Sequence, residues 1–274
     1  MNWCYNSTMS RAVERIPAEI GPGYPCGMPA QPNQSLINGI ACLQAVVAAG
    51  RPVGSREVAR LLDDEHTRVS RHLSTLAGIG LLEQTPERKY QPGPGLHVLA
   101  AQSLHGSMLL SAALPHLKEL LGRDMTVALG VLWRDHVCFL FHSRPGQPLE
   151  ESIGRHELHP ADRSSAGLAL LAHARPRPHD PPPRAKALAE PVVPVADLEA
   201  ALEGVRELGY ARLRVPEKGL LSVGLAVGDP PVAALAVSGP WAAAETPRVV
   251  ALLRETRGRI LASLAAARTG GSGA

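Results

Sequence analysis

The stretch that most restricts the fold runs from Ser55 to Gly93, SREVARLLDDEHTRVSRHLSTLAGIGLLEQTPERKYQPG. Its apolar residues recur twice at helical spacing, as Val58, Leu61 and Leu62 and then as Val69, Leu73 and Leu76, with only DDEHTR between the two sets. Two helices joined by so short a turn must cross and share one core. Ser55 is placed to N-cap the first, Glu57 complements the positive end of its dipole, and Asp63 or Asp64 is placed to cap the second. Gly80 stops the second helix, after which LLEQ, TPER and KYQPG read as strand, turn and returning strand.

Upstream, SLINGIACLQAVVAAG puts Leu36, Ile40, Leu43 and Val47 on one face of a further helix that ends at Gly50 and Pro52. Helix, helix, turn, helix and basic-tipped hairpin is the order of a winged helix-turn-helix, whose third helix suits a major groove and whose wing suits a neighbouring phosphate. The outer face of that third helix carries His66, Thr67, Arg68, Ser70, Arg71 and Ser74, with no carboxylate. Arg68 and Arg71 suit guanine edges or phosphates, Thr67, Ser70 and Ser74 suit phosphate oxygens or bases, and Arg88 and Lys89 suit the wing anchor. Ser55 and Arg56, at the start of the preceding helix, and His66 complete the expected DNA-contacting set. The formal net charge is only +3 over 274 residues, so affinity for duplex DNA has to come from this local patch. The alternative use of such a module is to dock a protein partner, with the chain acting as a small-molecule sensor.

Residues 94–121 are helical in period, with soft breaks at Gly106 and Pro115, and Leu96, Leu99 and Leu104 belong there either to a core or to a dimer seam. Beyond them the pattern alternates. Thr126–Trp133 and His136–His142 read as a hairpin turning at Arg134 and Asp135, and LLSVGLAV with VAALAVSGP reads as another through GDPP. VADLEAALEGVRELGYA is an amphipathic helix ending at Gly209, and a long terminal helix starts at Thr246 with Pro247 at its first position. The fold class is therefore α+β: a winged helix-turn-helix at 33–94, a linker helix at 95–107, and an antiparallel sheet with flanking helices at 108–268. A Pro/Gly-rich arm at 1–32 and a flexible tail at 269–274 flank these parts, and HARPRPHDPPPRAKALAEPVVP at 173–194 reads as an irregular loop. With aromatics at 3% of the chain, the core must be largely Leu, Val and Ala.

Within LHPADRSSAGLALLA, Ser164 and Ser165 open a helix whose free backbone N–H groups suit a carboxylate or other oxyanion. The sequence contains no GxSxG, GxGxxG, P-loop or HExxH pattern. No enzyme, cofactor or metal is expected, with His136, Cys138 and His142 on one strand face but too far apart for one chelate. His156, His159 and Asp162 activate no evident nucleophile. Four scattered cysteines and the lack of an apolar leader or a membrane-length apolar run point to a soluble, cytoplasmic protein without membrane contact.

From Ser35 to Ala266 the chain resembles the IclR-type bacterial transcription regulators, TLAGIGLL matching the exit from the reader helix and YQPG the end of the wing. That family usually has an apolar residue in the turn where Asp64 stands here. Downstream, Gly167, Ala169, Leu170, Leu171 and Ala172 match an element of the family's GAF-like effector domain, with Leu168 in place of the usual Lys. The resemblance implies an effector pocket of Ser164, Ser165, Ala166, Gly167, Glu217, Ser222 and Ser238, in a segment with a shorter acidic run than the family's. It also implies a homodimer or homotetramer, a double-stranded DNA operator, and an effector that is an oxygenated organic acid or sugar derivative.

Overall fold

The computed structural model describes residues 33–154, 158–174, 198–215 and 219–270. The arm at 1–32, Glu217, His156, residues 175–194 of the Pro/Arg-rich stretch and residues 271–274 of the tail lie outside them.

Three helices, α1 (Gln34–Ala48), α2 (Ser55–Leu62) and α3 (His66–Gly78), pack with a hairpin of β1 (Leu82–Gln84) and β2 (Tyr90–Pro92). Their shared core holds Cys42, Val46, Val53, Val58, Val69, Leu73, Leu76, Leu82 and Tyr90, which bears out the inward set expected of α3. The four residues Leu36, Ile40, Leu43 and Val47 share one face of α1, as expected, but it is not the face that forms the core. Helix α1 carries two apolar stripes; the one containing Cys42 and Val46 meets α2 and α3, while Leu36 (63% exposed), Ile40 and Val47 face outward and Leu43 only flanks the core.

The turn between α2 and α3 also differs from expectation. Gly54, not Ser55, is the N-cap of α2, and Leu61 is exposed while Ala59 takes the buried place beside Val58. Asp63 adopts the left-handed conformation, φ 51°, and the Asp63 and Asp64 amides donate to the carbonyls of Arg60 and Ala59. The turn is thus closed by capping the end of α2, a role short polar side chains tolerate. Neither aspartate caps α3: Glu65 stands at its N-cap without a side-chain bond.

Pro94 begins α4 (Pro94–Ser107), one residue earlier than expected, as suits its fixed φ and missing N–H. No residue of α4 is buried, and Val98 and Leu99 are each about half exposed. Left-handed Met108 separates it from α5 (Leu109–Lys118), which contains Pro115.

The remaining strands, β3 (Thr126–Trp133), β4 (His136–Ser143), β5 (Leu158–Pro160), β6 (Ala211–Val215), β7 (Leu220–Gly228) and β8 (Pro231–Gly239), form one antiparallel sheet in the order β5-β4-β3-β8-β7-β6. The remaining described α-helices are α6 (Ser165–Leu171), α7 (Leu198–Leu208) and α8 (Thr246–Gly270). The two faces of the sheet differ in side-chain size. Val127, Leu129, Val223, Leu225, Leu235 and Val237 share a core with α5 and α8, whereas Ala128, Ala234 and Ala236 pack with α6 and α7. On that second face a Cβ at Gly224 would lie 2.4 Å from the Ser165 carbonyl oxygen, so α6 sits closer to the sheet than any larger residue allows.

Candidate nucleic-acid interface and effector site

Amphipathic packing of α3 through Val69, Leu73 and Leu76 turns His66, Thr67, Arg68, Arg71 and Ser74 outward, all exposed, with Ser70 half-buried beside them. Ser55 does not cap α2; its hydroxyl lies 2.9 Å from His66 Nε2 and joins the first residues of α2 and α3. Arg56 is exposed on α2. Arg88, at a left-handed φ of 60°, and Lys89 form the exposed tip between β1 and β2, where their amides bond Thr85.

One carboxylate does enter this face, contrary to the sequence-based expectation. Asp64 Oδ1 accepts from the Arg68 guanidinium at 2.6 Å and from the Glu65 amide at 2.7 Å. Arg71, one turn further along the helix, has no ion pair among the described residues. Helical spacing alone pointed to the arginines; the partner lay in the turn, outside the period.

In the sheet, Ser165, Ser222 and Ser238 do come together. Ser222 Oγ is 2.7 Å from Ser165 Oγ, accepts from Ser238 Oγ at 2.7 Å, and lies 3.4 Å from the Val237 carbonyl. Ser165 and Ser222 are buried, while Ser238 is half-buried. The other expected residues have different places. Ser164 is the N-cap of α6, accepting the Gly167 amide at 2.9 Å. Ala166 and Gly167 are packing residues: a Cβ on Gly167 would fall 2.0 Å from the Ala161 carbonyl oxygen.

Strand register adds residues that sequence reasoning missed. Thr126 is paired with Ser238, and Ser238 with Ser222, so three hydroxyl residues cross β3, β8 and β7 in one row on the small-residue face. The next row on this face contains His142, Ala128, Ala236 and Gly224. His142 gets there through a bulge: Leu129 pairs with Phe141 and Gly130 with Phe139, which leaves Leu140 extra and reverses the facing of the strand beyond it. The expectation that His136, Cys138 and His142 share a face is therefore corrected. The rings of His142 and His159 instead both pack on Phe139, with centroids 5.4 and 5.1 Å away. Among the described residues no group of three His, Cys, Asp or Glu is placed to hold a metal ion. None of the described helices is long and apolar enough to cross a membrane.

No protein-family model matches the sequence, and no curated protein is significantly similar to it. Solved structures do resemble it. A Silicibacter protein described as an IclR transcriptional regulator superposes with a TM-score of 0.68 at 22% identity, covering 84% of this chain and 96% of its own. An IclR-family regulator from Brucella abortus gives 0.61 at 21% identity, over 85% and 93%. An IclR homologue from Microbacterium hydrocarbonoxydans, crystallised with 4-hydroxybenzoate, gives 0.59 at 24% identity, over 85% and 99%. At such identities the likeness is one of fold: this chain has the fold of IclR-type transcriptional regulators along most of its length.

Proposed function

We propose that this protein is a sequence-specific DNA-binding transcription regulator of IclR type, not an enzyme, whose hold on its operator is set by a small effector. The observation that carries this is the exposed Arg68 and Arg71 on a helix whose opposite face is locked into a three-helix core, next to a wing tipped by Arg88 and Lys89. Helix α3 has the dimensions and residue types for a major groove, and the wing cations suit the flanking phosphates.

The division of labour follows the cores. Residues 33–94 read DNA, 95–107 link, and 108–268 form a GAF-like sensor. The effector site is the hydroxyl row of Thr126, Ser238 and Ser222 with Ser165 behind it and His142 beside it, walled by Ala128 and Ala236. Hydroxyls next to an imidazole and aliphatic walls suit a small oxygenated acid. The 4-hydroxybenzoate held by a protein of the same fold is a ligand of that class. Exposed Leu36, Ile40, Val98, Leu99 and Leu104 on α1 and α4 supply an apolar seam for a second copy, and two-fold pairing of reader helices sets the spacing of operator half-sites. An effector that favours one arrangement of the pair changes that spacing and with it the affinity. The regulator works in the cytoplasm, where its operator is.

Selection of duplexes from a random library by the full-length protein tests the reading. Recovery of a paired, two-fold motif supports it, and recovery of no enriched sequence contradicts it.

A further inference from the structure

Two arginines one turn apart on the same exposed helix face hold different positions. The Arg68 guanidinium is tied to Asp64, 2.6 Å away and four residues earlier, while Arg71 has no ion pair among the described residues. Surface ion pairs at this spacing are ordinarily loose, because both long side chains must be held in one geometry. Here one partner is already fixed. The Asp64 side chain is only 17% exposed against 53% for Arg68, and its Oδ1 also accepts the Glu65 amide at 2.7 Å, at the very start of α3. The carboxylate is short, anchored to backbone and sheltered by the turn between α2 and α3, so Arg68 is the only member of the pair left to be ordered.

A carboxylate at a DNA-facing helix start opposes binding to phosphates. It offsets the charge of Arg68 and repels the backbone, which makes a poor device for general affinity. The guanidinium has five donors in a planar fork, however, and a bond to Asp64 through Nη1 leaves others for the two acceptors of a guanine edge. A tethered fork approaches a base with its rotamer already chosen, and a neutralised one gains little from a phosphate.

We propose that Asp64 is a positioning residue for specificity: it commits Arg68 to reading a base edge and withdraws it from the phosphate backbone, leaving the phosphates to Arg71. This rests on the DNA-binding reading above and deepens it.

The experiment uses the full-length chain, with wild type, Asp64→Asn, Arg68→Lys and Arg71→Ala each used to select duplexes from a random library and then compared on the wild-type consensus and on an unrelated duplex over a salt titration. Asparagine keeps the shape and the acceptor for the Glu65 amide while removing the charge, and thermal unfolding checks that each variant is folded. Asp64→Asn is expected to bind the unrelated duplex more tightly, to steepen the logarithmic salt dependence by about one unit, and to lose about tenfold in discrimination at one base-pair position of each half-site. Arg68→Lys, which keeps the charge and loses the fork, is expected to lose discrimination at the same position. A merely structural Asp64 would weaken both duplexes equally and leave the base preferences intact; that result overturns the inference, as does Asp64→Asn with wild-type selectivity. A wild-type protein that selects no sequence overturns the DNA-binding reading itself, and this inference with it.

Discussion

The hydroxyls of Ser165 and Ser222 lie 2.7 Å apart across the seam between α6 and β7. Elsewhere on this seam alanines and glycines allow close apolar packing, so the pair is a buried polar contact in a small-residue interface. Ser238 extends it, its hydroxyl donating to Ser222 Oγ at 2.7 Å. The same hydroxyls join helix to sheet and form the effector site proposed above.

Removing the middle hydroxyl separates the two roles. Ser222→Ala leaves the buried Ser165 hydroxyl without this partner, and a loss of about 1–3 kcal/mol is expected in urea unfolding. Ser222→Leu and Ser238→Leu replace hydroxyls of the row with bulky apolar side chains and are expected to abolish the effector response in an operator-release assay while binding of operator without effector persists. Normal release in both leucine variants would remove the site from the account.

The glycine at the seam gives a second test. Gly224→Ala places a Cβ 2.4 Å from the Ser165 carbonyl oxygen, between two backbones that cannot both give way, and should cost about 1–3 kcal/mol. Gly204→Ala, inside α7 with no atom within 4 Å of the new Cβ, should instead stabilise by about 0.5–1 kcal/mol through the helix backbone. Chemical denaturation of the two single variants measures the difference in sign.

Much of this architecture was legible in the sequence because its signals are local. The inward set Val69, Leu73 and Leu76, the hairpin of Thr126–Trp133 with β4, and the start of α8 at Thr246 all follow from period and turn chemistry within a few residues. The misses have physical causes of another kind. Period finds the apolar stripes of α1 but not which of them meets its own chain: Leu36, Ile40 and Val47 face outward while Cys42 and Val46 form the core. The facing of His142 depends on a one-residue bulge at Leu140, and the neighbourhood of Thr126 and Ser238 on strand pairing across more than a hundred residues. Aspartates before a helix commonly cap it, which makes Asp63 and Asp64 cap candidates by sequence, whereas the left-handed Asp63 closes the turn and Asp64 is left to bond Arg68.

Cys42 makes the winged helix-turn-helix core sensitive to alkaline pH. Burial first, and then the nearby Asp64 charge, push its thiol from the ordinary 9.0 up to about 11. The folded chain therefore keeps a proton that the unfolded chain has lost between those values, so the contribution to stability is complete below pH 9 and falls as pH rises toward 11, by about 1–3 kcal/mol. Unfolding free energies from pH 8 to 11 should decline less steeply in Cys42→Val than in wild type; parallel curves would show that the thiol carries no such linkage.

The outward apolar residues of α4 make self-association testable. Leu99 is 52% exposed on a helix with no buried residue, and Leu99→Glu is expected to shift the sedimenting species to a smaller one without altering secondary structure by circular dichroism. An unchanged sedimentation coefficient would place the seam elsewhere.

Whether α3 reads DNA sequence is tested by fluorescence anisotropy of the full-length protein on its selected duplex, with excess unrelated duplex present and salt varied. Binding is expected to survive the competitor, to decline with salt as phosphate contacts are lost, and to weaken in Arg68→Ala and in Arg71→Ala while both variants remain folded. Binding that the competitor abolishes, or that neither arginine affects, would contradict a sequence-reading α3.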